Sequence, residues 1–420
     1  MEKNSYENNL RMQRKKLYAL VDYAIKNVPY WERYANENKI SISESRIFEE
    51  IRQFPIMTKN FIEKNEKELI SREELTCIKN YSGGSTGEPV CIYQDMRLQV
   101  CSATNYFMHL GGCDIGHKIV KLWGSEKDIL GERVSGLSKI AGNYVHRCKI
   151  LNTFRVKEDE YKIYADRINR YKPSVVYGYV QSLYDMAVYC KWNDIAVWSP
   201  EFVMTTAGTL YDGWRQTIED VFKCKVLNQY GSREVSGIAC ECMEQDGLHV
   251  QMNTQYIEIV DEEGKRLPEG QAGKIVITNL INRKMPLIRY EIGDIGTLGK
   301  RLCKCGRETS ILQNVKGRTV NIFKTTTGEH IDGEYFTHLF YGLDWVRRFQ
   351  VIQEDMDHLQ INIEKRDSTT GSMDKKIECD LEDMKRKILA VMPDIRITYR
   401  FLEEIRPSAS GKYIYTISKV

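Results

Sequence analysis

Two apolar runs, F-V-M-T-T-A-G (202–208) and K-V-L-N-Q-Y-G (225–231), each end on a glycine turn. Both have strand length and are bounded by a residue type that lets the chain reverse. P-S-V-V-Y-G-Y (173–179) reads as another buried strand. Strands alternating with helical patterns predict a layered α/β domain. Upstream, L-R-M-Q-R-K-K-L-Y-A-L-V-D-Y-A-I (10–25) brings Leu10, Leu17, Leu20, Val21 and Ile25 to helical spacing, and 96–110 reads as a further helix. Thr58 can cap the helix that follows Pro55.

Downstream the style changes. Y-I-E-I-V, the polar D-E-E-G-K-R-L-P-E-G and K-I-V-I-T form a β-hairpin signature within residues 248–300, which predicts a β-rich subdomain over about 235–315. Beyond it the pattern predicts a helix near 333–342, strands at 348–353 and 358–364, a loop at 367–374, a helix at 380–392 and a strand at 395–402. The expected division is a large α/β domain over residues 1–317 and a small α+β domain over 318–420.

The 420 residues carry 61 Lys and Arg against 58 Asp and Glu, a formal net charge of +3. With that balance and no basic stripe interleaved with aromatics, no nucleic-acid partner is expected. No apolar run reaches membrane-spanning length, and M-E-K-N-S-Y-E-N-N-L has no apolar signal core, so neither a membrane span nor secretion is expected. Twelve scattered cysteines then predict reduced thiols and a cytoplasmic protein. Cys77, Cys101 and Cys190 read as small core residues among apolar neighbours.

N-Y-S-G-G-S-T-G-E-P-V (80–90) concentrates glycines and hydroxyls but is not a Walker A loop. Glu88 stands where that motif needs lysine, Pro89 follows, and V-C-I-Y reads as a strand, so the loop joins two strands. The backbone N–H groups of Gly83, Gly84 and Gly87 and the hydroxyls of Ser82, Ser85 and Thr86 can still wrap phosphate oxygens. A flexible surface loop is the competing reading.

Y-G-S-R-E (230–234), R-Y-E-I-G-D (289–294), K-G-R-T-V (316–320) and P-S-A-S-G-K (407–412) follow in that order. Together with the glycine loop the set resembles the adenylate-forming superfamily of acyl-coenzyme A synthetases and ligases. It resembles most the phenylacetate–coenzyme A ligase family, including its capsule-polysaccharide-biosynthesis members. V-P-Y-W-E-R (28–33) and F-P-I-M-T-K (54–59) resemble the same branch, so the likeness spans essentially the whole chain.

The resemblance implies an enzyme that joins a small carboxylic acid to ATP, releases pyrophosphate, and passes the acyl group to coenzyme A. The alternative acceptor is an amine or hydroxyl in a capsule or natural-product pathway. An alternative of another class is a non-catalytic, zinc-stapled binding module. On the family pattern, Ser82–Gly87 clasp the β- and γ-phosphates, and Ala207, Gly208 and Thr209 line the adenine. Tyr230, with Gly231 and Ser232, packs against the adenylate. Glu234 ligates Mg²⁺, Asp294 accepts from the ribose hydroxyls, and Arg318 reaches ribose or phosphate. Lys412 is the catalytic cation, brought in by the small domain to stabilise charge as the carboxylate attacks phosphorus. The chain departs from the family at Thr209, Arg233, Glu291, Ile292 and Val320, the last where a hinge aspartate is usual.

Y-G-Y-V-Q-S-L-Y (177–184) and W-G-S (123–125) resemble segments near the acyl pocket, so Tyr177, Tyr179 and Gln181 are candidates to line it, with ordinary core packing as the alternative. C-E-C-M-E-Q-D-G-L-H (240–249) and C-K-C-G-R (303–307) hold Cys242, His249, Cys303 and Cys305, a set that fits a closed tetrahedral zinc site. Buried thiols or a redox pair are the rivals, and the family pattern sets Cys240 aside in favour of Cys242. A homodimer stays open.

Overall fold

The computed structural model describes residues 4–81, 90–96, 103–114, 116–123, 147–153, 156, 159–299, 303–316, 322–327, 330–340, 343, 345–366, 374–406 and 413–420. They divide into two compact units, residues 1–316 and 317–420.

The first unit opens with α1 (Tyr6–Asn27), whose Ser5 cap accepts from the Asn8 N–H, and α2 (Pro29–Glu37), with proline at its first turn. Leu17, Leu20, Val21 and Trp31 bury the apolar faces of this pair. Thr58 caps α3 (Lys59–Asn65) by accepting from Phe61 N–H at 3.2 Å, as its sequence position predicts. The strands β1 (Cys77–Tyr81) and β2 (Cys91–Asp95) pair antiparallel with Tyr81 opposite Cys91, so the glycine loop does join a hairpin. Helix α4 (Ala103–Leu110) falls within the expected helix at 96–110, of which residues 97–102 lie outside the described residues.

The chain then alternates β3 (Ile119–Trp123), β4 (Cys148–Asn152), α5 (Glu160–Tyr171), β5 (Val175–Tyr179), α6 (Val180–Trp192), β6 (Phe202–Thr206), α7 (Asp212–Phe222) and β7 (Lys225–Ser232). These strands pair parallel, which requires crossovers such as α6 and α7. β6 is buried along its whole length, as a strand covered on both faces must be. At β7 the pairing changes sign. β8 (Ser236–Cys240), β9 (Leu248–Val250), β10 (Gln255–Val260), β11 (Ala272–Asn279), β12 (Tyr290–Gly299) and β13 (Ile311–Lys316) continue antiparallel. The single sheet runs β10-β11-β12-β13-β9-β8-β7-β6-β5-β3-β4. The predicted hairpin is β10 with β11.

The second unit holds β14 (Ile322–Lys324), β15 (His330–Asp332), α8 (Gly333–His338), β16 (Val346–Asp355), β17 (His358–Lys365), α9 (Asp374–Val391), β18 (Arg396–Leu402) and β19 (Thr416–Ser418). Its larger sheet runs β18-β17-β16-β19 over a core of Phe323, Phe336, Trp345, Ile361 and Ile388. α9 starts at Asp374, ahead of the expected 380, because Ile377 is in helical phase with Met384 and Ile388 and all three are buried.

Cys190 is buried in the core as expected, but Cys77 is only half-buried on β1, and Cys101 lies outside the described residues. No helix among the described residues is long and apolar enough to cross a membrane.

Candidate functional site

The C-terminal ends of parallel strands are where open α/β sheets gather their ligand-binding residues. Ala207, Gly208 and Thr209 follow β6 directly, Ala207 in a left-handed conformation (φ 63°). Tyr230, Gly231 and Ser232 are the last residues of β7. A Cβ on Gly231 would sit 2.8 Å from the Ser236 carbonyl oxygen, so the tight return into β8 needs glycine there. The Tyr230 hydroxyl donates to Asp294 Oδ2 on β12 at 2.6 Å. Two motifs far apart in the chain thus meet side chain to side chain.

Glu234 lies in the β7–β8 turn and is 5% exposed. Its carboxylate accepts from the Tyr290 hydroxyl at 3.4 Å, and no Lys or Arg pairs with it among the described residues. A carboxylate taken out of water without a cation costs several kcal/mol, on the order of 3–5 kcal/mol for a broken pair. A Mg²⁺ ion would supply such a charge, and Glu234 offers the hard oxygen that ion takes.

The hairpin that carries the glycine loop is pinned beside Glu234. Asn80 Nδ2 and Gln94 Nε2 donate to the Arg233 carbonyl at 3.0 and 2.7 Å, and Gln94 Nε2 also reaches the Glu234 carbonyl at 3.0 Å. The Asp95 carboxylate accepts from Arg283 N–H at 2.6 Å, and Asn282 bridges Asp95 N–H and the Tyr93 carbonyl. Ser82, Gly83, Gly84, Ser85, Thr86 and Gly87, with Arg318 and Lys412, lie outside the described residues. Asn80 and Tyr290 lie within quoted motifs without an assigned role, and Gln94 and Asn282 lie outside them.

Of the acyl-pocket candidates, Tyr177 is buried on β5 and Tyr179 is half-buried at its end. Their rings lie 5.4 and 4.5 Å from the Trp123 ring. Burial pushes the Tyr177 phenol well up, so it stays neutral. Gln181, on α6, donates to Asp185 Oδ1 at 2.6 Å.

Cys242, His249, Cys303 and Cys305 converge, with their candidate ligand atoms within 4.8 Å of one another. Cys242 Sγ lies 3.6 Å from Cys303 Sγ, and Cys305 Sγ lies 3.4 Å from His249 Nε2. A zinc tetrahedron with bonds of about 2.3 Å to sulfur and 2.0–2.1 Å to nitrogen has S···S edges of about 3.8 Å and S···N edges of about 3.6 Å. The observed spacings match those edges. They do not match a disulfide, whose sulfurs are about 2.05 Å apart.

The surroundings fit a metal too. His249 Nδ1 lies 2.7 Å from Thr309 Oγ1, a partner that leaves Nε2 facing the thiols. Burial, then the Arg307 guanidinium, pulls His249 down to about 4, so the ring is neutral and can ligate. Burial pushes Cys242 up to about 12, a cost that a dication reverses by binding the thiolate. Gly306, at φ 76°, makes the turn that lets both Cys303 and Cys305 face inward. Cys240 is buried on β8 and is not part of the set.

Residues 323–419 match the family model described as the CapK C-terminal domain. Protein CapK of Staphylococcus aureus is 23% identical, over 97% of this chain and 89% of that protein. A phenylacetate–coenzyme A ligase of Thermus thermophilus is 25% identical, over 75% of this chain and 73% of that enzyme. Among solved structures, a 2-hydroxyisobutyryl-CoA ligase in its postadenylation state, in complex with R3-HIB-AMP, superposes with a TM-score of 0.75 at 17% identity. That match covers 97% of this chain and 89% of the other, and it shows a shared fold.

Proposed function

We infer that this chain, which belongs to the adenylate-forming superfamily and to its phenylacetate–coenzyme A ligase-like family with CapK, activates a small carboxylic acid with ATP and transfers the acyl group to coenzyme A. The observation that carries this reading is the buried Glu234, paired with no Lys or Arg among the described residues, together with the Tyr230–Asp294 pair at the end of β7. A carboxylate poised for a hard cation and another suited to a diol are the two acids a Mg²⁺-bound ribonucleotide needs.

In this reading Asp294 accepts from the ribose hydroxyls while Tyr230 orients it and packs on the adenylate. Ala207–Thr209 border the adenine. The Ser82–Gly87 loop, on its pinned hairpin, clasps the β- and γ-phosphates, and Arg318 reaches ribose or phosphate. Glu234 would hold Mg²⁺, which offsets phosphate charge when bound. Lys412 steadies the carboxylate of the acid against the α-phosphorus. The carboxylate oxygen forms a bond to that phosphorus as the α–β bridging bond breaks, and pyrophosphate leaves with the bonding electrons. The coenzyme A thiol then attacks the acyl carbon, AMP leaves, and the thiol proton passes to solvent. Tyr177, Tyr179 and Gln181 border the acyl group. Cys242, His249, Cys303 and Cys305 would hold a structural Zn²⁺. The use of ATP and of reduced thiols supports a cytoplasmic setting.

A second reading keeps the adenylation and transfers the acyl group to an amine or hydroxyl. The resemblance of its motifs to the capsule-polysaccharide-biosynthesis members of the family suggests it. A panel of carboxylates incubated with ATP and Mg²⁺, with and without coenzyme A, separates the two. AMP together with a thioester supports the first, and AMP turnover only with an amine or hydroxyl supports the second. No AMP from any acid overturns both and leaves a zinc-stapled binding module.

A further inference from the structure

We propose a second zinc site, open to solvent and formed by Cys113, His117 and Glu201. These three lie at the turn after α4 and just before β6, and their candidate ligand atoms are within 4.8 Å of one another. Cys113 Sγ is 3.3 Å from Glu201 Oε2. The S···O edge of a zinc tetrahedron with bonds of about 2.3 and 2.1 Å is about 3.6 Å, so a shift of a few tenths of an ångström seats an ion between them. None of the three belongs to the Cys242–Cys305 set.

Cys113 and His117 stand in a C-x₃-H spacing on one turn, closed by the His117 N–H donating to the Asp114 carbonyl at 3.2 Å. His117 Nδ1 accepts from the Asp114 N–H at 2.9 Å and also lies 2.8 Å from the Asp114 carbonyl oxygen, so the ring is held at the turn. In the tautomer whose Nδ1–H donates to the carbonyl instead of accepting the Asp114 N–H, Nε2 keeps the lone pair a metal needs. Asp114 itself faces His109, at 3.3 Å.

Burial grades across the site. Cys113 is 1% exposed, His117 is half-buried and Glu201 is exposed. Three protein ligands with one side open to water is the arrangement of a zinc site that keeps a water ligand. Thiolate and imidazole select zinc over magnesium or calcium. In the free protein the Cys113 thiol donates to Glu201. On zinc binding the S–H bond breaks, the proton goes to solvent, and sulfur and carboxylate both turn to the ion.

The site also has a place in the fold. Cys113 packs in the same buried cluster as Cys242 and Cys303, and Arg307 of the cysteine knuckle donates to the His109 carbonyl at 3.2 Å. The knuckle and the second site therefore grip the 109–117 turn from opposite ends.

The test is a zinc titration of chelator-treated full-length protein against a chromophoric chelator. Wild type should bind two equivalents, the second more weakly. Cys113→Ser and His117→Ala should each remove the weaker equivalent and leave the one lost in Cys303→Ser. Glu201→Gln, at an exposed residue that leaves folding intact, should weaken it about tenfold or more. Cobalt loading should give a tetrahedral visible spectrum whose Cys113-dependent part disappears in Cys113→Ser. A wild-type protein whose zinc equivalents are unchanged by all three substitutions, or that binds only the Cys303-dependent ion, overturns the proposal.

Discussion

Replacing Tyr230 by Phe removes one oxygen and keeps the ring proposed to pack on the nucleotide. What is lost is the 2.6 Å hydrogen bond to Asp294. A hydrogen bond to a charged group contributes about 1.5–3 kcal/mol, and each 1.4 kcal/mol is about tenfold in affinity. The expected loss of ATP affinity is therefore about tenfold, with roughly 100-fold as the ceiling if the bond alone orients the carboxylate. Titration calorimetry with Mg-ATP measures it without knowing the acid. Asp294→Asn should cost more, because it removes the anion proposed to receive the ribose. In that background Tyr230→Phe should cost little, giving a coupling of about 1 kcal/mol or more in the double-mutant cycle. Losses that add to within about 0.5 kcal/mol would show that the two residues act independently and refute the shared role.

Glu234→Gln separates activity from stability. AMP formation should fall by about 100-fold with a higher Mg²⁺ requirement, while urea denaturation without Mg²⁺ should show a stability unchanged or raised by about 1 kcal/mol, because an unpaired buried charge is gone. Removing the proposed zinc from the Cys242–His249–Cys303–Cys305 set, by chelation or Cys303→Ser, should lower the melting temperature of the first unit by about 10 °C. At roughly 2 cal/mol/K per residue, a domain of about 300 residues moves that far for a loss of about 6–7 kcal/mol, and zinc in small fingers supplies more. Burial pushes Cys190 and Cys224 up to about 12. At pH 8.5 both stay protonated, so iodoacetamide should label exposed Cys379 in the folded protein and reach these two only after unfolding, as peptide mass spectrometry would read.

Much of the fold was legible because it is locally written. β6, β7 and the β10–β11 hairpin each carry their own apolar period and turn residues. The start of α9 was not, because Asp374–Glu378 is charged except for Ile377, and one apolar residue makes no period. Cys77 was misread because apolar neighbours along the chain do not reveal that β1 belongs to a two-stranded hairpin. In the site, Tyr230, Glu234 and Asp294 stood out by motif, and the zinc set by residue type. Their supporting partners did not. Asn80 and Gln94 reach Arg233 across 153 and 139 residues, Tyr290 reaches Glu234 across 56, and Thr309 reaches His249 across 60. Contacts at such separations leave no spacing to read.

The most direct measurement is ATP–pyrophosphate isotope exchange over a panel of carboxylic acids, run on wild type and on Lys412→Ala. The account predicts exchange with at least one acid in wild type and its loss by about 100-fold or more in the variant, because the positive charge that steadies two reacting anions is gone. Exchange that persists in Lys412→Ala, or that no acid elicits from wild type, would contradict it.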